Sequence, residues 1–152
     1  MDRLLLVAAL VVAAVVVAQV LQRRRPEPPT QGRWQVPTQL DRADFDGADR
    51  PWLVVVFTST TCESCAKAVE KASALESPEV AFQAVPYQER KDLHQRYAVE
   101  VVPAILAVDP DGVVQASFVG TPTATDLWAA VAEARNPGSS PEPDLGRPPE
   151  LQ

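Results

Sequence analysis

The segment TCESC contains the only two cysteines of the chain, Cys62 and Cys65, with two residues between them. Residues three apart lie on one face of a helix, so the two sulfur atoms come within reach of each other. The expected Cα separation suits a disulfide without backbone rearrangement. A disulfide that closes so short a loop stabilises a fold by only about 2 kcal/mol in the chain-entropy model. The pair therefore indicates reversible thiol–disulfide chemistry rather than a structural cross-link.

The first thiol of such a pair becomes the nucleophile when it lies at the beginning of a helix. Unpaired N–H groups and the positive end of the helix dipole favour a thiolate there. Cys62 is therefore predicted to attack a substrate disulfide, and Cys65 to resolve the mixed disulfide that forms. Glu63 and Ser64, which lie between them, are expected to modulate this reactivity. The negative charge of Glu63 opposes formation of the Cys62 thiolate.

Other uses of two cysteines leave alternatives open. A zinc site usually needs three or four protein ligands, and haem attachment needs a histidine directly after Cys65, where the chain has Ala66. Two thiolates can hold a soft copper ion, and buried free thiols can pack as small hydrophobic groups. The prediction is a dithiol enzyme without a cofactor or metal. The alternatives are a non-catalytic binding module and a soft-metal carrier.

Short strands and helices alternate around the cysteines. The apolar run Leu53–Thr58 predicts a buried strand directly before them. Thr60 and Glu63 form a capping box, which predicts a helix that begins there and ends near Leu75. The other predicted elements are a short helix at Leu40–Phe45, a strand at Val80–Val85, a short helix at Lys91–Tyr97, strands at Ala104–Val108 and Val113–Val119 joined by the turn Asp109–Gly112, and a helix at Thr123–Arg135. This order predicts the α/β class, with a mixed sheet flanked by helices.

Four further residues are interpreted as structural rather than chemical. His94 has no neighbouring ligand type and lies among charged residues, so it is predicted to be on a solvent-exposed helix face. Trp52 and Trp128 are predicted to be packing residues. Glu70 is predicted to be a solvated helix residue rather than a base for the cysteines.

The two ends of the chain differ in composition from its middle. Residues 4–21 are almost wholly apolar, and at about 1.5 Å per residue a helix of that length nearly spans the hydrocarbon core of a bilayer. Residues 1–21 are therefore predicted to be an uncleaved N-terminal transmembrane helix. A cleaved signal peptide is the alternative, which the short start Met-Asp-Arg and the three arginines behind any plausible cut after Ala18 disfavour. The basic and then Pro-rich residues 22–37 predict an extended tether, and residues 136–152 predict a disordered Pro-rich tail. The folded domain is predicted to occupy residues 38–135.

Charge sets the expected location and partners. Three arginines directly follow the apolar segment, which favours a cytoplasmic domain by the positive-inside rule, with an extracytoplasmic domain as the alternative. The chain has 14 basic and 20 acidic side chains, and this balance argues against a nucleic-acid surface. The predicted partners are the lipid bilayer, through residues 4–21, a protein substrate with a thiol or disulfide, and a redox partner.

Residues 38–135 resemble the thioredoxin family. The resemblance depends on the strand LVVVF, on TCESC at the start of a helix, and on Val102-Pro103 before a strand about forty residues later. It implies a protein-disulfide oxidoreductase with a cis peptide bond before Pro103. It also implies that the Val102 backbone pairs with an extended substrate near Cys62 and Thr61.

The sequence departs from the family pattern at the active site. Thr61 stands where the family usually has tryptophan, and Glu63-Ser64 replace the usual Gly-Pro. Val56 stands where the family has a buried acid that shuttles the proton of the second cysteine. Because valine cannot accept a proton, Cys65 is expected to resolve the mixed disulfide without that base.

Overall fold

The apolar run before the two cysteines forms the central strand of a mixed sheet. The computed structural model of this protein describes residues 35–148. Strand β1 (Trp52–Thr58) pairs in parallel with β2 (Val80–Pro86) and antiparallel with β3 (Ala104–Val108), which pairs antiparallel with β4 (Val114–Val119). The strand order is β2-β1-β3-β4. The predicted α/β class with a mixed sheet is confirmed.

Helices cover both faces of the sheet. The described part of the chain has α-helices α1 (Cys65–Ser73), α2 (Lys91–Arg96) and α3 (Ala124–Arg135), together with a 3-10 turn at Arg42–Asp44. Small and branched apolar side chains of α1 and α3 pack on one face. Helix α2 and the segment around the 3-10 turn cover the other face.

Strand β1 is buried on both faces, which explains its unbroken apolar sequence. Leu53, Val55 and Phe57 are all 0% exposed and face the α2 side. Val54 and Val56 are at most 1% exposed and face the side of α1 and α3. Full burial of one such side chain contributes about 1.5–3 kcal/mol. The core therefore fixes the carboxyl end of β1, where the cysteine segment begins.

The helix after β1 begins later than the sequence predicts. Helix α1 starts at Cys65, and Ser64 at its N-cap makes no side-chain capping hydrogen bond. Residues 59–64 form turns instead. The N–H of Thr60 donates to a side chain from beyond β2, which holds this residue outside the helix. The predicted capping box of Thr60 and Glu63 is therefore wrong, because a contact distant in sequence takes its place.

The other predicted elements are present with shifted ends. The predicted short helix at Leu40–Phe45 is the 3-10 turn at Arg42–Asp44. Helix α1 ends at Ser73, two residues before the predicted end at Leu75. The Asp109–Gly112 turn joins β3 and β4 as predicted, with the Gly112 N–H donating to the Asp109 carbonyl at 3.1 Å.

His94 is buried, which contradicts the predicted exposed position. It is 3% exposed, and its Nε2 lies 2.9 Å from the Val85 carbonyl oxygen. Its ring meets those of Phe57 and Tyr87 edge to face, at centroid distances of 4.9 and 5.3 Å. The prediction was wrong because charged residues flank His94 in the sequence. On a short helix these charges can all lie on the outer side while another residue faces the core.

The two tryptophans with a predicted packing role differ in their surroundings. Trp52 is half-buried and packs against the core between the sheet and helices α1 and α3, as predicted. Trp128 is 45% exposed, so it packs with only part of its surface. Its indole N–H donates to the Lys71 carbonyl at 3.1 Å and thereby joins α3 to α1.

Residues 136–148, which belong to the predicted Pro-rich tail 136–152, contact the domain. The carboxylate of Glu133 in α3 accepts hydrogen bonds from the N–H groups of Gly138 and Ser140, both at 2.8 Å. These two bonds stabilise the charged form and hold the pKa of the Glu133 carboxyl below its ordinary value. A carboxylate of the domain thus anchors a segment whose own composition predicts disorder.

The same segment also covers the outer edge of β4. The Ser117 N–H donates to the Gly146 carbonyl at 2.6 Å. A Cβ atom at Gly146 would lie 2.7 Å from the ring of Phe118, so only glycine permits this close approach. The contact occupies a strand edge that would otherwise offer unpaired backbone groups to another chain.

The predicted membrane segment lies outside the described residues. This applies to all of residues 4–21 and to most of the tether over residues 22–37. Among residues 35–148, none of the helices has the length and apolar character needed to cross a membrane. Membrane anchoring is therefore still a prediction from the sequence.

Candidate active site

The two cysteines lie at the carboxyl end of the central strand. Cys62 lies in the turn after β1, and Cys65 is the first residue of α1. Their sulfur atoms form a disulfide with an S–S distance of 2.12 Å and a Cα–Cα distance of 5.4 Å. Cys62 is half-buried, whereas Cys65 is 4% exposed. The structure thus brings the two predicted catalytic residues together, and the first is the more accessible.

The turn that carries Cys62 is closed by backbone and hydroxyl hydrogen bonds. The Cys62 N–H donates to the Ser59 carbonyl at 3.1 Å, and the Cys65 N–H donates to the Cys62 carbonyl at 3.3 Å. The hydroxyl oxygens of Ser59 and Thr61 lie 3.1 Å apart. Thr61, which the sequence predicts to contact substrate, is exposed next to Cys62.

The two residues between the cysteines have opposite effects on a Cys62 thiolate. Ser64 Oγ lies 3.6 Å from Cys62 Sγ, within hydrogen-bond range for sulfur. After reduction this hydroxyl can donate to the thiolate, and such charge-assisted bonds are stronger than neutral ones. Glu63 is exposed, so solvent and salt weaken its repulsion of the thiolate. Ser64 therefore offsets part of the effect expected from Glu63.

Gln88, which no sequence motif indicates as a functional residue, reaches this turn from just beyond β2. Its Nε2 donates to Ser59 Oγ at 3.1 Å, and its Oε1 accepts from the Thr60 N–H at 3.1 Å. Parallel pairing puts the carboxyl ends of β1 and β2 at one edge of the sheet, and functional residues gather at such edges. The only signal in the sequence is a polar side chain shortly after the second predicted strand.

An open groove of about 320 Å³ runs beside the disulfide. Both cysteines and residues 58–60 line it, and Ala66, Val69 and Pro86 contribute apolar walls. Its position gives a bound polypeptide access to the cysteine pair, with apolar surface for its side chains.

The loop before β3 is tied to the cysteine turn. The Val102–Pro103 peptide bond is cis, as the family resemblance implies. The Pro103 carbonyl accepts from the Gly120 N–H at 2.8 Å, and the next residue, Thr121, donates through Oγ1 to the Ser64 carbonyl at 3.3 Å. In the described part of the chain, the backbone N–H and C=O of Val102 form no hydrogen bond. This backbone therefore offers one donor and one acceptor in the loop before β3, which these bonds connect to the cysteine turn through residues 120 and 121.

Val56 is enclosed by apolar residues. It is 0% exposed, and its neighbours across the sheet are Ala84 in β2 and Ile105 in β3. Glu70 is exposed on α1, in agreement with its predicted role as a solvated helix residue. The position predicted to lack a buried acid is thus an apolar core position, and a proton leaving Cys65 has no acceptor there.

For the soft-metal alternative, the two cysteine sulfurs are the candidate ligands. Within the described range there is no group of three or more His, Cys, Asp or Glu side chains that could hold a metal ion. The two sulfurs are bonded to each other, so a two-thiolate site requires the reduced protein.

Comparison with known proteins supports the fold and the family. Residues 38–135 match the family model described as a thioredoxin-like domain. Thioredoxin f from spinach chloroplasts is 22% identical over a match that covers 67% of this chain and 98% of that one, with a TM-score of 0.51. A mutant thioredoxin from Halobacterium salinarum is 19% identical, with 57% of this chain and 77% of that one covered and a TM-score of 0.50.

A thioredoxin from Fasciola hepatica is 26% identical to this chain. That match covers 55% of this chain and 81% of the Fasciola protein, with a TM-score of 0.49. No curated protein matches the sequence.

Proposed function

The chain belongs to the family of thioredoxin-like domains, and we propose that it is an oxidoreductase that exchanges disulfides with protein substrates through Cys62 and Cys65. The observation that carries this proposal is the disulfide between a half-buried Cys62 and a buried Cys65 at the start of α1. A bond that closes so short a loop adds little stability, so its value lies in opening and closing.

The proposed reduction of a substrate takes two exchange steps. First, the Cys62 thiolate attacks a substrate disulfide: a Cys62–substrate bond forms, the substrate S–S bond breaks, and the first substrate thiolate leaves and takes up a proton. Second, the Cys65 thiolate attacks the Cys62 sulfur, which forms the Cys62–Cys65 disulfide and releases the second substrate thiolate. The substrate gains two electrons and the protein loses two. The reverse sequence oxidises a substrate dithiol.

Substrate is proposed to bind as an extended segment next to the cysteine turn. The N–H and C=O of Val102, which have no hydrogen bond among residues 35–148, supply backbone hydrogen bonds, and the apolar walls of the groove receive side chains. Pro103 and Thr61 flank this position. Main-chain pairing of this kind accepts many sequences, so the proposed substrate class is proteins with accessible disulfides or dithiols.

A non-catalytic thioredoxin-like binding module is the second candidate, and the apolar environment of Val56 favours it. Without a base at this position, the proton of Cys65 must leave to water. A general base contributes about 10²–10⁴-fold to the rate of such a step, so the second exchange step should be slower by that factor. A module that binds extended segments through Val102 needs no second step.

The proposal extends to a membrane-tethered enzyme. Its support is the apolar sequence of residues 4–21, and the three arginines that follow favour a domain on the cytoplasmic side, where reduction of partners is the expected direction. A fusion of alkaline phosphatase after Gln152 tests the orientation. Activity of an intact fusion would place the domain on the outside and make oxidation the expected direction.

Disulfide turnover by the full chain, purified in mild detergent, tests the enzyme proposal. Wild type should reduce a disulfide-bonded protein in the presence of a dithiol reductant, and Cys62→Ser should reduce it only at the background rate. Cys65→Ser should accumulate a mixed disulfide on Cys62 that mass spectrometry identifies. Equal rates for wild type and Cys62→Ser would refute catalysis and favour the binding module.

A further inference from the structure

Gln88 connects the end of β2 to the turn that carries Cys62. Its amide is engaged at both ends: Nε2 donates to Ser59 Oγ and Oε1 accepts from the Thr60 N–H, each at 3.1 Å. The backbone next to Gln88 is itself fixed, because the preceding residue, Tyr87, donates its N–H to the Thr58 carbonyl at 2.8 Å. Gln88 therefore transfers the fixed geometry of the sheet to residues 59 and 60.

Cys62 depends on those residues for its own position. It lies in no helix or strand, and its N–H is bonded to the Ser59 carbonyl at 3.1 Å. Ser59 Oγ also lies 3.1 Å from Thr61 Oγ1, so the hydroxyls link the residue held by Gln88 to the neighbour of Cys62. Cys65, by contrast, is fixed as the buried first residue of α1. Because Cys65 is fixed, the position of this turn determines how far Cys62 Sγ lies from Cys65 Sγ in the reduced protein.

We propose that Gln88 is a positioning residue for the exchange reaction, and this inference rests on the proposed function. By holding residues 59 and 60, Gln88 keeps Cys62 close to Cys65 when both are thiols. A preorganised pair loses less conformational freedom when the S–S bond closes. Gln88 therefore raises the effective concentration of Cys65 towards the sulfur of Cys62.

The step that Gln88 assists is the attack of the Cys65 thiolate on the Cys62 sulfur of a mixed disulfide. The Cys62–Cys65 bond forms, the bond from Cys62 to the partner sulfur breaks, and the partner thiolate leaves and is protonated by water. With glutathione as the partner, one oxidised glutathione becomes two reduced molecules as the protein dithiol is oxidised. The equilibrium constant of this exchange measures the effective concentration directly.

The test is this equilibrium in the full chain for wild type and Gln88→Ala, with the reduced and oxidised forms separated by thiol alkylation. Gln88→Ala should lower the effective concentration about fivefold, as expected for the loss of two exposed hydrogen bonds. That change raises the reduction potential of the Cys62–Cys65 disulfide, a two-electron couple, by about 20 mV. Gln95→Ala is the matched control, because Gln95 is also exposed and its side chain has no hydrogen bond in the described part of the chain.

A double-variant cycle separates this role from a general structural one. Ser59→Ala should shift the equilibrium in the same direction, and Gln88→Ala combined with Ser59→Ala should shift it by less than the sum of the single effects. An unchanged equilibrium in Gln88→Ala, an equal shift in Gln95→Ala, or strict additivity would overturn the inference. A wild-type chain that forms its disulfide with glutathione but does not turn over substrate would refute the proposed function instead.

Discussion

Replacement of Ser64 by alanine should slow the reaction of Cys62 with an alkylating agent near neutral pH. The hydroxyl lies 3.6 Å from Cys62 Sγ and is the side-chain donor that contacts this sulfur in the described structure. A well-formed hydrogen bond to a charged group contributes about 1.5–3 kcal/mol. At this distance and with solvent access we expect about 1 kcal/mol, which corresponds to about a fivefold smaller thiolate fraction below the titration midpoint.

The assay is the rate of iodoacetamide alkylation as a function of pH. Both proteins carry Cys65→Ser, so that Cys62 is the only thiol of the chain. At pH 6 we expect Ser64→Ala to react about fivefold more slowly than the parent, and at pH 10, where the thiolate is fully formed in both, we expect equal rates. Ser64→Thr, which keeps the hydroxyl, should behave as the parent. Superimposable pH profiles for the parent and Ser64→Ala would refute this role of Ser64.

Two further predictions concern the stability of the fold. Because the pKa of Glu133 is lower in the folded chain than its ordinary value, its stabilisation is fully present above about pH 4.5 and is lost as the pH falls through the folded-state pKa. The difference in Tm between wild type and Glu133→Gln should therefore shrink on acidification, and a difference that is constant from pH 3 to 7 would contradict this. Gly112 has φ +82°, and a Cβ there would lie 2.1 Å from the Leu40 carbonyl oxygen. Gly112→Ala should therefore lower the free energy of unfolding by at least about 2 kcal/mol and Tm by about 10 °C. Gly120→Ala, with φ +89° and no atom within 4 Å of the new Cβ, is the matched control and should cost less; equal losses would show that the contact at Gly112 is unimportant.

Most of the fold was predictable because its signals are local in the sequence. The apolar run that forms β1 is unbroken since the strand is buried on both faces, and the turn from Asp109 to Gly112 has the residue types that its backbone requires. The spacing of Cys62 and Cys65 indicated a disulfide within reach of a helix start. Each of these inferences needed only neighbouring residues.

Two errors have a common cause. Helix α1 begins later than the sequence predicts because Gln88 holds Thr60 in a turn, and His94 is buried rather than exposed because its partner Val85 lies on another element. Glu133 likewise binds the backbone of residues 138 and 140, a contact that no local pattern indicates. In each case a contact between separate elements overrides the local propensity.

The sequence by itself determined where the candidate chemistry lies, since its two cysteines stand at a spacing that favours disulfide exchange and directly follow a buried strand. It also determined which segments are strands and helices, because apolar periodicity is a property of the neighbouring residues. Only the tertiary structure decided which groups hold the cysteine turn: Gln88 from beyond β2 binds residues 59 and 60, and Thr121 from beyond β4 binds the Ser64 carbonyl, only after the strands have paired. The physical reason is that strand pairing brings together residues that are distant in the chain, and no local pattern records which of them will meet.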